Sequence, residues 1–125
     1  RRREVNERMK LQIELQVIAR AAAAILFSKN REAISRIILF GSVAREDANE
    51  ESDVDLLVIV RHGDRYRWRR KFIDDLMPIM GHLRRYVSIK TFTEKEFEEL
   101  SKSGSPFIKE VLSHAIPVYG TEEGN

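Results

Sequence analysis

Two short motifs at a fixed distance constrain this chain more than anything else in it. Ile37-Ile38-Leu39-Phe40 is an apolar run that stops at Gly41-Ser42, and Asp53-Val54-Asp55 opens a second apolar run through Val60. Ten residues, Val43 to Ser52, separate them. That connection is shorter than the dozen or more residues a parallel crossover needs, so the two runs read as antiparallel neighbouring strands. The end of the first then meets the start of the second. Alternation along a strand puts Asp53 and Asp55 on one side with Cα atoms roughly 6.5 Å apart, a spacing from which both carboxylates reach the same hard cation. Mg²⁺ favours one or two carboxylates completed by waters and substrate phosphates. Gly41 permits a sharp turn or a close backbone approach, and Ser42 offers a hydroxyl and an amide to a phosphate oxygen if a short helix begins near Val43. Leu56 to Val60 is apolar at every position, which predicts a strand buried on both faces. Paired acids beside such a strand repel one another unless a cation lies between them.

The spelling Gly41-Ser42-Val43-Ala44-Arg45, followed at this distance by Ser52-Asp53-Val54-Asp55-Leu56, resembles the signature of the polymerase β nucleotidyltransferase superfamily, above all its small prokaryotic branch, the minimal nucleotidyltransferases. The likeness runs from about Ile37 to Tyr119. It implies that Asp53 and Asp55 are catalytic and hold Mg²⁺, that Gly41 and Ser42 hold the terminal phosphates of ATP or another nucleoside triphosphate, and that a nucleotide monophosphate, AMP above all, passes to a hydroxyl. It also implies a third acid on the next strand. Here that strand is Tyr86-Val87-Ser88-Ile89-Lys90-Thr91-Phe92, and Ser88 stands at the expected position with Lys90 on the same face. A serine brings neither charge for a second cation nor basicity near neutral pH. Three readings follow: catalysis with Glu94 or Glu96 as substitute, catalysis with one well-held metal, or nucleotide binding without turnover. The resemblance further implies a HEPN protein as partner, with this chain as the antitoxin of a pair. Arg45, one turn after Gly-Ser, reaches either a triphosphate or an acidic neighbour, and the second reading is preferred.

The rest of the chain supports one α+β domain with a mixed, mostly antiparallel sheet of three or four strands. With 125 residues, 42% hydrophobic and 34% charged, it can bury one modest core. An N-terminal helix (1–35 with its link) flanks a nucleotidyltransferase domain (36–120), and 121–125 is expected to be a flexible tail. Without cysteine, disulfides and thiol catalysis are excluded, and three scattered histidines make zinc a poor fit. No run of eighteen apolar residues and no leader pattern is present, so no membrane span and a cytoplasmic location are expected. Val5, Met9, Ile13, Gln16 and Val17 predict the inward face of a helix over Glu4–Ser28, and Ala21 to Phe27 is apolar nearly all round, suited to packing or to a dimer or partner surface. Asp64 caps a helix to about Met80 that faces inward through Trp68, Phe72, Leu76 and Ile79, with Pro78 closing it. Arg61, Arg65, Arg67, Arg69, Arg70 and Lys71 make it basic, which suits nucleic acid or an acidic partner without sequence readout. Thr93-Glu94-Lys95-Glu96 is a capping box, and Ser105-Pro106 starts a further helix before an edge strand at Ile116–Tyr119.

Overall fold

The computed structural model describes residues 2–119, so the tail expected at 121–125 lies outside the described residues. The elements run α1 (Arg2–Lys29), β1 (Ile34–Phe40), α2 (Gly41–Arg45), β2 (Val54–Val60), α3 (Arg65–Leu83), β3 (Val87–Thr93), α4 (Glu94–Lys102), α5 (Pro106–Ser113) and β4 (Ile116–Tyr119). The four strands form one sheet in the order β3-β2-β1-β4. β1 is antiparallel to β2 and to β4, whereas β2 and β3 are parallel. The mixed α+β sheet anticipated from the motif spacing is therefore the observed one, and α3 is the crossover that parallel neighbours require.

β2 is central in burial as well as in order. Leu56 to Val60 are all buried, because both faces of the sheet are covered. On one face Leu15, Leu26, Ile37, Leu39, Leu56, Val58, Phe72 and Leu76 join α1 and α3 to the sheet. On the other, Ile38, Leu57, Ile59 and Val111 meet the half-buried Phe40, Phe92 and Phe97 beneath α4 and α5. Asp53 and Asp55 alternate with Leu57 and Ile59, which sets them on this second face at the end where β1 stops and β2 and β3 begin.

α1 turns a different side inward from the one its Val5-Met9-Ile13-Val17 series predicts. Its buried positions are Leu11, Leu15, Ile18, Ala19, Ala22, Ala23 and Leu26, whereas Val5, Met9, Ile13 and Val17 are 52–59% exposed. The helix carries two apolar stripes, and the one rich in small residues wins because alanine lets α1 lie close against the sheet. Val5, Met9, Ile13 and Val17, a stripe without alanine, are left outside. One 18-residue window of α1 has mean hydropathy 1.4, so by length and composition the helix does meet the requirement for a span; the expectation that nothing in the chain does so was too strong. Here its inner stripe is core.

α3 also departs from expectation. It continues through Pro78 to Leu83 and ends where Arg84 adopts a left-handed conformation. Phe72, Leu76 and Met80 are buried, with Trp68 and Ile79 half-buried beside them. The capping box is present in both directions: Glu96 N donates to Thr93 Oγ1 at 3.1 Å and Thr93 N to Glu96 Oε1 at 2.9 Å. Asn30 closes α1 as a buried cap, its amide donating to Leu26 O and to Asp75 Oδ2, both at 2.9 Å.

Candidate functional site

The site forms where three strand ends converge. Phe40, the last residue of β1, lies opposite Asp55, and Asp55 lies opposite Ser88 on the other side. Neighbouring strands are about 4.8 Å apart, so the two motifs and the Ser88 position share one short arc of the sheet. Gly41 closes the arc. Its φ is +77°, and a Cβ placed there would run into the Asp55 carboxylate. Glycine is thus required twice, for its backbone conformation and for the space it leaves. α2 follows at once, with Phe40 at its N-cap providing no side-chain cap. The short helix expected near Val43 is present and starts two residues earlier, presenting its first amides beside Asp55.

The two acids differ in setting. Asp53 precedes the strand and is exposed, while Asp55 lies within it and is half-buried. Burial pushes the Asp55 carboxyl above the usual carboxylate range, repulsion from Asp53 pushes it further, and the Arg45 guanidinium opposes both. A half-buried anion with an anionic neighbour is a cation seat in electrostatic outline. Among the described residues no group of three or more His, Cys, Asp or Glu side chains assembles, in keeping with a site of two carboxylates and a serine. Hard oxygen donors suit Mg²⁺, and two carboxylates suffice for one ion completed by substrate phosphates.

Arg45 is held by acids of its own. Its Nε lies 3.3 Å from Asp47 Oδ2 and its Nη1 4.0 Å from Glu110 Oε2, so the preference for a structural clamp is the geometry observed, while its charge still acts on Asp55. Ser88 is half-buried next to Asp55. The substitutes offered for a third carboxylate are far away. Glu94 and Glu96 follow Thr93 at the opposite end of β3, roughly 17 Å along the strand from Ser88; Glu96 is engaged in the capping box, and Glu94 lies 3.6 Å from Arg61. That reading is overturned.

Some contributors escaped the sequence reading. Within the segment between the motifs Asn49 N donates to Ser52 Oγ and Glu51 N to Asn49 Oδ1, each at 2.8 Å, making a turn that delivers Asp53. Arg85 ties this turn to α1, 3.6 Å from both Glu50 and Glu14 and donating to Glu50 O at 2.9 Å. Beside Asp55 and Ser88 on the same face, Phe40 and Phe107 meet edge to face at 5.8 Å, with Lys90 Nζ 6.0 Å from the Phe107 ring. Phe40, adjoining the Gly-Ser motif, was legible as a neighbour; Phe107 and Arg85 were not, since only the fold brings them there.

Comparison with known proteins agrees with this geometry. The family model described as "Polymerase beta, Nucleotidyltransferase" matches residues 22–124. The chain belongs to the polymerase β nucleotidyltransferase family. A Methanocaldococcus jannaschii protein named "Putative protein adenylyltransferase MJ0141" is 44% identical over 43 residues, a stretch covering 34% of this chain and 43% of the relative, less than half of that protein. A Sulfolobus solfataricus structure described as a "putative nucleotidyltransferase" superposes with TM-score 0.63 at 18% identity over 94% of this chain and 90% of the other. A complex of a tri-AMPylated Shewanella oneidensis HEPN toxin with an MNT antitoxin gives TM-score 0.53 at 18% identity, over 85% and 73%. At these identities the structures establish the fold.

Proposed function

We propose that the chain is an Mg²⁺-dependent nucleotidyltransferase-like protein that binds ATP at Gly41, Ser42, Asp53 and Asp55 and transfers AMP to a hydroxyl. The observation that carries this is the close approach of Gly41 to the Asp55 carboxylate, which supports a site where the Gly-Ser turn, the acid pair and the uncapped start of α2 act together. The name of the Methanocaldococcus relative, a protein adenylyltransferase, supports a protein acceptor. A bound Mg²⁺ supplies charge neutralisation at the α-phosphate. Asp53 and Asp55 hold it, the Gly41–Ser42 backbone orients the outer phosphates, and Phe40 with Phe107 walls the cleft. The acceptor oxygen then bonds to the α-phosphorus as pyrophosphate departs. ATP labelled on its α-phosphate, incubated with Mg²⁺ and a partner protein, should label that protein, and Asp53→Ala or Asp55→Ala should abolish it. Label that persists in both variants contradicts the proposal.

A second reading has its own observation. No described acid replaces Ser88, so the domain can act as an antitoxin-type partner that binds nucleotide with weak turnover or none. The exposed stripe Val5, Met9, Ile13 and Val17 is the surface by which a HEPN partner, or a second copy of this chain, would dock. Tight complex formation with a HEPN protein that survives Asp53→Ala and Asp55→Ala, without label transfer, selects this reading.

A further inference from the structure

β3 is an edge of the sheet, and of its residues Lys90 alone is exposed while the others are buried or half-buried. The register sets Ser88 beside Asp55 and Lys90 beside Leu57, so the Lys90 side chain leaves the sheet on the face that carries the acids, two residues on from Ser88. The Asp55 and Lys90 Cα positions are then one diagonal step across the sheet, roughly 8 Å apart. A lysine's flexible four-carbon stem covers such a step. The ammonium stays on this face: its Nζ is 6.0 Å from the Phe107 ring, which meets Phe40 edge to face at 5.8 Å, and Phe40 lies opposite Asp55 on β1.

Two strand cations share the face of the acids, Arg36 and Lys90. Arg36 lies toward the other end of β1, roughly 13 Å from Phe40, with its guanidinium 5.5 Å from the Phe97 ring. Arg45, in α2, is committed to Asp47 and Glu110. Lys90 has no ion-pair partner among the described residues. The seat has a use for that charge. One Mg²⁺ on Asp53 and Asp55 cancels the two carboxylates and leaves the charge of a triphosphate unanswered, and Ser88 brings no charge to seat a second ion. Transfer at phosphorus is aided by cations on both sides of the reacting group, and an ammonium is a compact point charge of the right sign.

Resting on the function proposed above, we propose that Lys90 is a catalytic cation that contacts the α-phosphate and stands in for a second metal ion. The order of the strands decides which phosphate it meets. Gly41 and Ser42 take the outer phosphates on the β1 side of Asp55, so the triphosphate crosses Asp55 toward β3 and its α end arrives at Lys90. There the ammonium supplies charge and hydrogen bonds and exchanges no proton.

Calorimetric titration of the full chain with Mg²⁺ present tests this. Lys90→Gln should bind AMP and a non-hydrolysable ATP analogue about tenfold more weakly than the wild type, the loss expected for one charged hydrogen bond, and should bind pyrophosphate as the wild type does. Lys95→Gln removes the same charge from an exposed position on α4, beyond the far end of β3, and should leave all three affinities unchanged. With Mn²⁺ in place of Mg²⁺, electron paramagnetic resonance should count one bound ion per bound analogue in the wild type and in Lys90→Gln. The double variant Ser88→Asp/Lys90→Gln, which exchanges the cation for an acid, should hold a second. The assignment is overturned if Lys90→Gln loses no more AMP affinity than Lys95→Gln, or loses as much for pyrophosphate as for AMP. It is equally overturned if the wild type holds two Mn²⁺ or the double variant only one. A wild type that binds neither the analogue nor Mn²⁺ overturns the proposed function itself, and this assignment with it.

Discussion

Asp55 is where folding and function pull against each other. Its carboxyl is raised by burial first and by Asp53 second, so the ionised form is the one the fold disfavours. A raised carboxyl contributes stability that is fully present below its unfolded value and is lost as pH rises through its folded value. Without metal, the domain should accordingly lose some stability as pH climbs through and just above the carboxylate range, and Asp55→Asn should melt higher than the wild type at neutral pH. Thermal melts at several pH values check this, and a variant that melts lower would refute it. Gly41→Ala should fail for two reasons, a φ of +77° and collision with Asp55. The left-handed conformation alone costs about 1–2 kcal/mol, so a drop in melting temperature of several degrees is expected together with lost nucleotide binding. Ser88→Asp tests the vacant carboxylate position from the other direction. If Ser88 is what limits turnover, adding an acid beside Asp55 should raise the label-transfer rate by about 10²-fold or more; an unchanged rate would place the limit elsewhere.

At the scale of elements, what was legible followed from local chemistry. The capping box at Thr93, Asp64 as the cap of α3, Ser105-Pro106 and the apolar Leu56–Val60 run of β2 each carry their own cause, and each forms as read. Antiparallel pairing of β1 and β2 was legible from a connection too short to cross over. What was not legible depended on partners. α1 has two apolar stripes, and nothing within it says which the sheet will accept; small size, not hydropathy, decides. Pro78 has the fixed φ that helices tolerate, and packing of Leu76 and Met80 carries α3 past it, so its expected stop at Met80 comes at Leu83. The two sides of α1 should respond differently. Leu15→Ala, at a fully buried position, should cost about 2–5 kcal/mol, whereas Ile13→Gln on the exposed stripe should stay within about 0.5 kcal/mol and instead weaken any complex formed through that face. Denaturant melts separate the two, and equal losses would mean the stripes had been assigned the wrong way round.

Across the whole molecule, the sheet works as a scaffold that collects chain ends. β1 delivers Gly-Ser, β2 delivers the acids, β3 delivers Ser88, and Arg85 fixes the turn between them while α1 and α3 pack behind. The two motifs could be read from sequence because their chemistry is local; the Phe40–Phe107 wall and the Arg85 clamp could not, because residues far apart in the chain meet only after folding. The central claim is that Gly41, Ser42, Asp53 and Asp55 act as one seat for a metal–triphosphate. Calorimetric titration with Mg²⁺ and a non-hydrolysable ATP analogue tests it without requiring turnover. The account predicts one Mg²⁺-dependent site in the wild type, weakened at least about tenfold by Asp55→Asn, as the loss of one charge-assisted contact implies. Equal affinity in wild type, Asp53→Ala and Asp55→Asn, or binding indifferent to Mg²⁺, would contradict it.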